Sequence, residues 1–102
     1  MNKPNPDSII AVRKAIDDVD HQIVTLICQR QHLVSRAANF KTDENSVRAP
    51  ERVKEVISRV RELAKQKDGS PEILEQIYRA IISAYTNYEL KEKSFSPEEA
   101  SS

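Results

Sequence analysis

The chain has 102 residues, of which 16 are basic and 16 acidic, so its formal net charge is zero; 38% of residues are apolar and 31% charged. This length suits one domain with a modest core, neutrality argues against nucleic acid, whose phosphates select a basic excess, and a single Cys precludes an internal disulfide. No apolar run approaches the roughly 20 residues of a membrane span, and Met1-Asn2-Lys3-Pro4-Asn5-Pro6 lacks the apolar centre of a signal peptide, so the expectation is a cytoplasmic protein with no membrane or nucleic-acid partner.

One Gly and no Trp, with this balance of apolar and charged residues, suit an all-α protein with solvated outer faces. Residues 1–7 read as a Pro-containing tail, and Asp7 or Ser8 is placed to cap a first helix. That helix is expected to run from about Asp7 to Phe40. Ile9, Val12, Ile16, Val19, Ile23, Leu26, Ile27, Leu33, Val34 and Ala37 recur mostly at gaps of three or four, the signature of one buried face. Some 33 residues at 1.5 Å each span roughly 50 Å, whereas a globule of this size has a radius of gyration of only ~13 Å. One end of the helix must therefore find its cover on another chain.

Cations interrupt this face. Every seventh residue reads Ile9, Ile16, Ile23, Arg30, Ala37, so a guanidinium stands where the pattern asks for an aliphatic side chain. Arg13 follows Ile9 by four and Lys41 follows Ala37 by four, which puts both on the same stripe or its edge. Three inward cations need anions.

The polar segment Thr42 to Ala49 reads as a loop, ended by Pro50 at a first helical position with Glu51 behind it. Val53, Val56, Ile57, Val60, Leu63 and Ala64 then form one face of a second helix, which stops at Asp68-Gly69, with Gly69 expected to take the left-handed cap. The charged string Arg59, Arg61, Glu62, Lys65, Lys67 reads as its solvated face. Ser70-Pro71-Glu72 opens a third helix, whose expected inward residues are Leu74, Ile77, Tyr78, Ile81, Ile82, Tyr85 and Tyr88. Glu89 lies on that face, four residues after Tyr85, where burial among apolar neighbours favours the neutral carboxyl. Residues 94–102 are Ser-, Glu- and Pro-rich and read as a disordered tail.

Arg13 and Arg30 are seventeen residues apart, roughly 25 Å along a straight helix, too far to grip one small ligand from one chain. An antiparallel pair of such helices would bring Arg13 of one subunit near Arg30 of the other and create two equivalent sites in a two-fold dimer. With Lys41, with Arg52 from the start of the second helix and with Glu89, such a site fits a compact dianion. The sequence offers no Cys-His or Ser-His spacing for a nucleophile, no phosphate-cradling Gly loop and no ligand cluster for a metal, so Cys28, His21 and His32 read as structural or surface residues. Positioning and electrostatics remain, through Arg forks, one Lys point charge and one protonatable carboxyl. Unimolecular rearrangements and eliminations are the reactions run this way.

Val12-Arg13, Arg30, Phe40-Lys41, Ala49-Pro50-Glu51-Arg52-Val53 and Glu89 together resemble the small all-helical chorismate mutase family, including its isochorismate-pyruvate lyase branch. The resemblance covers about residues 8 to 93. It implies three helices per chain in an intertwined homodimer that converts chorismate to prephenate, or isochorismate to salicylate and pyruvate, without cofactor or metal. It further implies that Arg13 reaches in from the partner subunit and grips carboxylates with Arg30. Lys41 would meet the ether oxygen and a carboxylate, Arg52 would come from the loop edge, and Glu89 would face the ether oxygen. Tyr85, one turn before Glu89, is the better tyrosine for the pocket wall. Lys41, Glu89 and Arg30 are thus the expected catalytic residues, and Arg13, Arg52 and Tyr85 join them in binding.

Three departures from the family pattern bear on the reaction. Glu89 stands where many bacterial members carry Gln, and it must be protonated to assist an oxygen that gains negative charge. Val53 replaces a Glu that holds the ring hydroxyl in typical mutases, and the short Thr42 to Ala49 segment with Ala-Pro-Glu-Arg is closer to the lyase branch. An amino-substituted chorismate is a further substrate of this type. The competing reading is a non-catalytic helical dimer in which an inward Arg30 snorkels or pairs with an acid such as Asp20 of a partner helix.

Overall fold

The structure, a computed structural model, describes residues 8–93. The expected tails, 1–7 and 94–102, and with them Asp7 as a cap, lie outside the described residues. Three long helices form as the sequence indicates, α1 (Ile9–Ala38), α3 (Pro50–Gln66) and α4 (Pro71–Glu92), and a short helix α2 (Glu44–Arg48) lies inside the segment read as a loop. The chain divides into two units between Val34 and Ser35, within α1. No helix among the described residues is long and apolar enough to cross a membrane.

The first unit is the body of α1. Ser8 caps it, its hydroxyl accepting from the Ala11 amide at 3.0 Å. The aliphatic stripe expected to be buried is open in a single copy of the chain: Ile9, Val12, Ile16, Val19, Ile23, Leu26 and Leu33 are between 41% and 61% exposed. Arg13 is exposed and Arg30 half-buried.

The second unit is organised by α3 packed on α4, with α2 also against α4. Val56, Ile57, Val60 and Ala64 of α3, Leu90 of α4, Val47 of α2 and Ala38 at the end of α1 are buried. They form a compact aliphatic core. Arg61, expected on the solvated face, instead reaches across to α4, where its guanidinium meets Glu75 at 2.9 Å and Glu72 at 3.3 Å. Glu75 also takes Arg79 at 2.7 Å. Leu63, Ile77 and Tyr88 were expected to face inward but are about half exposed, because α3 and α4 each carry an apolar arc wider than one neighbour covers.

The helix ends follow local chemistry. Ser70 caps α4 by accepting from the Ile73 amide at 3.2 Å, with Pro71 at the first turn. Asp43 and Ser46 cap α2 reciprocally: the Asp43 carboxylate accepts from the Ser46 amide at 2.7 Å, and the Ser46 hydroxyl accepts from the Asp43 amide at 3.2 Å. The Ser46 amide, then the Ser46 hydroxyl, holds the Asp43 carboxyl below its ordinary range. At the end of α3 the left-handed residue is Asp68 (φ 59°), not Gly69. The Gly69 amide donates to Ala64 O at 2.7 Å and the Asp68 amide to Lys65 O at 3.3 Å, a Schellman closure whose left-handed position Asp tolerates through its short polar side chain. Ala49 is the other left-handed residue, with φ 42° and ψ 62°. Its amide closes α2 on Asn45 O at 2.8 Å, and its carbonyl accepts from Val53 at 3.0 Å to open α3.

Candidate active site

Phe40 and Lys41 leave α1 in a turn, the Lys41 amide donating to Ala38 O at 3.1 Å, so Lys41 stands where α1 ends and before α2 begins. Its ammonium lies 3.5 Å from Glu89 Oε2, with 21% of the Lys41 and 8% of the Glu89 side chain exposed. Glu89 is the only buried charged residue among the described residues. The sequence reading placed both residues in one site without anticipating that they pair. A cation held beside a proton-accepting carboxyl in a largely water-excluded place can receive a carboxylate on the cation and an ether or hydroxyl oxygen on the acid.

One turn beyond Glu89, the Lys93 ammonium donates to the Lys41 carbonyl at 3.3 Å. Sequence reading ended the domain at Lys93 and gave that residue no role; the Glu89-to-Lys93 spacing of four on α4 was the available signal. Tyr85 is half-buried one turn before Glu89. Arg52, on the first turn of α3, is exposed and directs Nη1 to Glu55 Oε1 at 3.1 Å. In the second unit, then, Lys41 and Glu89 are brought into contact, Tyr85 stands beside Glu89 in the helix, and Arg52 is turned along α3. Arg13 and Arg30 belong to the first unit.

A separate groove of about 270 Å³ is bounded by Arg48, Val53, Arg79, Ser83, Thr86 and Asn87. Val53 presents an aliphatic wall to this groove. Arg48 is paired with Glu44 at 3.0 Å. Among the described residues no group of three or more His, Cys, Asp or Glu could hold a metal ion.

Among the described residues the chain is all-α, with a Lys41–Glu89 pair formed beyond the end of α1 and arginines spaced along that helix. The family described as chorismate mutase type II matches residues 12–90, which include Arg13, Arg30, Lys41, Arg52, Tyr85 and Glu89, and the chain belongs to that family. Among its relatives are a bifunctional chorismate mutase/prephenate dehydratase of Aquifex aeolicus, 36% identical over 86 residues (80% of this chain, 24% of the relative), and a chorismate mutase of Methanocaldococcus jannaschii, 30% identical over 77 residues (74% and 78%). An isochorismate pyruvate lyase of Pseudomonas aeruginosa is 30% identical over 80 residues (78% and 79%). The chain spans about a quarter of the length of the bifunctional relatives it matches.

Proposed function

We propose that this chain is a chorismate mutase-type pericyclic enzyme that converts chorismate to prephenate by electrostatic positioning, with no cofactor. The observation that carries the reading is the Lys41–Glu89 pair, 3.5 Å apart and largely withdrawn from solvent, inside the segment matched by the family. In the rearrangement an ether C–O bond breaks while a C–C bond forms, and negative charge gathers on the ether oxygen. Lys41 meets that charge directly. Glu89, beside Lys41, can assist that oxygen only as a hydrogen-bond donor.

Arg30 holds a substrate carboxylate through its planar fork, and Arg13 does the same from the partner subunit of a homodimer; Arg52 turns from Glu55 to the ligand, and Tyr85 walls the pocket. The dimer is supported by the open aliphatic stripe of α1, which a second copy would cover. A cytoplasmic setting accords with the absence of a membrane-crossing helix among the described residues.

A second reading, isochorismate-pyruvate lyase giving salicylate and pyruvate, is favoured by Val53, which replaces the ring-hydroxyl carboxylate of typical mutases and lines a groove instead. Both reactions use the same grip on a dianion and differ in how the ring lies. Supplying chorismate and isochorismate separately distinguishes them. Efficient prephenate formation upholds the mutase, efficient salicylate release transfers the chain to the lyase reading, and silence with both substrates leaves a non-catalytic helical dimer.

A further inference from the structure

Glu89 of α4 and Lys93, which follows the helix one turn later, hold Lys41 at its two ends. The Glu89 carboxylate lies 3.5 Å from the ammonium, and the Lys93 ammonium donates to the carbonyl at 3.3 Å. Lys41 sits in the turn that follows α1, where its own amide bonds only to the turn carbonyl of Ala38, so helical hydrogen bonding does not fix its carbonyl. Lys93 is half-buried and its own amide closes the last turn of α4 on Glu89 O at 2.9 Å. The same helix end thus fixes the backbone of Lys93 and the direction of its side chain.

We propose that Lys93 is a positioning residue for Lys41: it anchors the peptide carrying Lys41, so that the ammonium is presented beside Glu89 and not swept through solvent. This assignment rests on the mutase-type reading of the site, which gives the orientation of Lys41 its catalytic value. A cation on the carbonyl is a charge-assisted bond, stronger than the contact of a neutral donor. Removing it leaves Lys41 its ion pair but frees its backbone, and loss of placement at a reacting atom costs rate more than affinity.

The test compares Lys93→Met, Lys93→Gln and Lys93→Arg in the full chain by two readouts. The first is the ¹³C carbonyl shift of Lys41, which reads the anchor directly and needs no turnover. The second is kcat and KM with chorismate and with isochorismate. The expected result is a displaced Lys41 carbonyl signal in the Met and Gln variants, kcat reduced roughly tenfold or more with KM changed by less than about threefold, and recovery of both readouts in Lys93→Arg. An unmoved Lys41 carbonyl signal in the Met and Gln variants overturns the anchor. A displaced signal with unchanged kcat, or a deficit seen only in KM, overturns the positioning role. If the unaltered chain turns over neither substrate, the enzymatic reading fails, and the catalytic role of Lys93 with it, while the carbonyl signal still decides whether the anchor exists.

Discussion

The body of α1 and the α3–α4 pair are both written in aliphatic residues at helical spacing, but they spend them differently. In α3 four such side chains are buried within the chain, and Arg61 ties the pair through Glu72 and Glu75. In α1 the stripe from Ile9 to Leu33 is open, and Ala38 at its end is the one residue of the helix that is buried. One region holds its shape by its own packing, while the other leaves its aliphatic stripe open, with Arg13 and Arg30 on the same helix. Packing within the chain thus sits in one part, and the open stripe of α1 in the other.

The sharpest way to break that division is Arg30→Ala. Kinetics should show a loss of about a hundredfold or more in kcat/KM, while circular dichroism and gel filtration show an unchanged helical dimer; a variant that unfolds would make Arg30 part of the architecture. Ile57→Ala, in the α3 core, should cost about 2–4 kcal/mol in denaturant unfolding, by the same amount at every protein concentration. Ile16→Ala, on the open stripe, should cost only about 1–2 kcal/mol, with its effect rising as the protein is diluted and a dimer dissociates. Equal concentration dependence in the two variants would erase the distinction.

The remaining effects are smaller and more local. Glu89→Gln should change kcat with the substrate the chain turns over; unchanged kinetics in the variant would remove Glu89 from the chemistry. Within α4 the Arg79 guanidinium, and then across the α3–α4 contact that of Arg61, hold the Glu75 carboxyl below its ordinary value of 4.5. Glu72 is held below the same value, first by its own amide and then by Arg61, against the opposing effect of partial burial. Since both folded values are depressed, their contribution to stability is complete above 4.5 and disappears as pH falls through the lower folded values. Acid titration of helicity should show this limb, shallower in Glu75→Gln. Smallest of all, Asp68→Gly should stabilise thermal unfolding by no more than about 1 kcal/mol, and Gly69→Ala should be nearly neutral, because an added Cβ meets Ala64 O at an ordinary 3.6 Å.

The parts of this molecule that could be read from sequence are those whose causes lie within a few residues. Ser8, Pro50 and Ser70-Pro71 mark helix starts because a cap needs only its own first turn. The left-handed position after α3 was assigned to Gly69 by preference, but the Schellman bonds place it one residue earlier, on Asp68. Helix α2 was hidden because five residues carry too little periodicity, and its Asp43–Ser46 box uses a hydroxyl where the familiar pattern has Glu or Gln. Glu89 was legible as an inward carboxyl from its helical register. Its pairing with Lys41 and the reach of Lys93 join positions about fifty residues apart, and no local pattern encodes them. Arg61 was lost among charged neighbours for the same reason.

Ala49 has a consequence for how the segment between Lys41 and Arg52 can rearrange. One peptide there is both the last donor of α2 and the first acceptor of α3, in a left-handed conformation that costs a non-glycine residue roughly 1–2 kcal/mol, directly before a proline that disfavours helical backbone. No spare residue is available to absorb a gradual bend. Any change of angle between α2 and α3 made at this peptide costs one of those two bonds, so a single residue holds the two helices in a fixed relation.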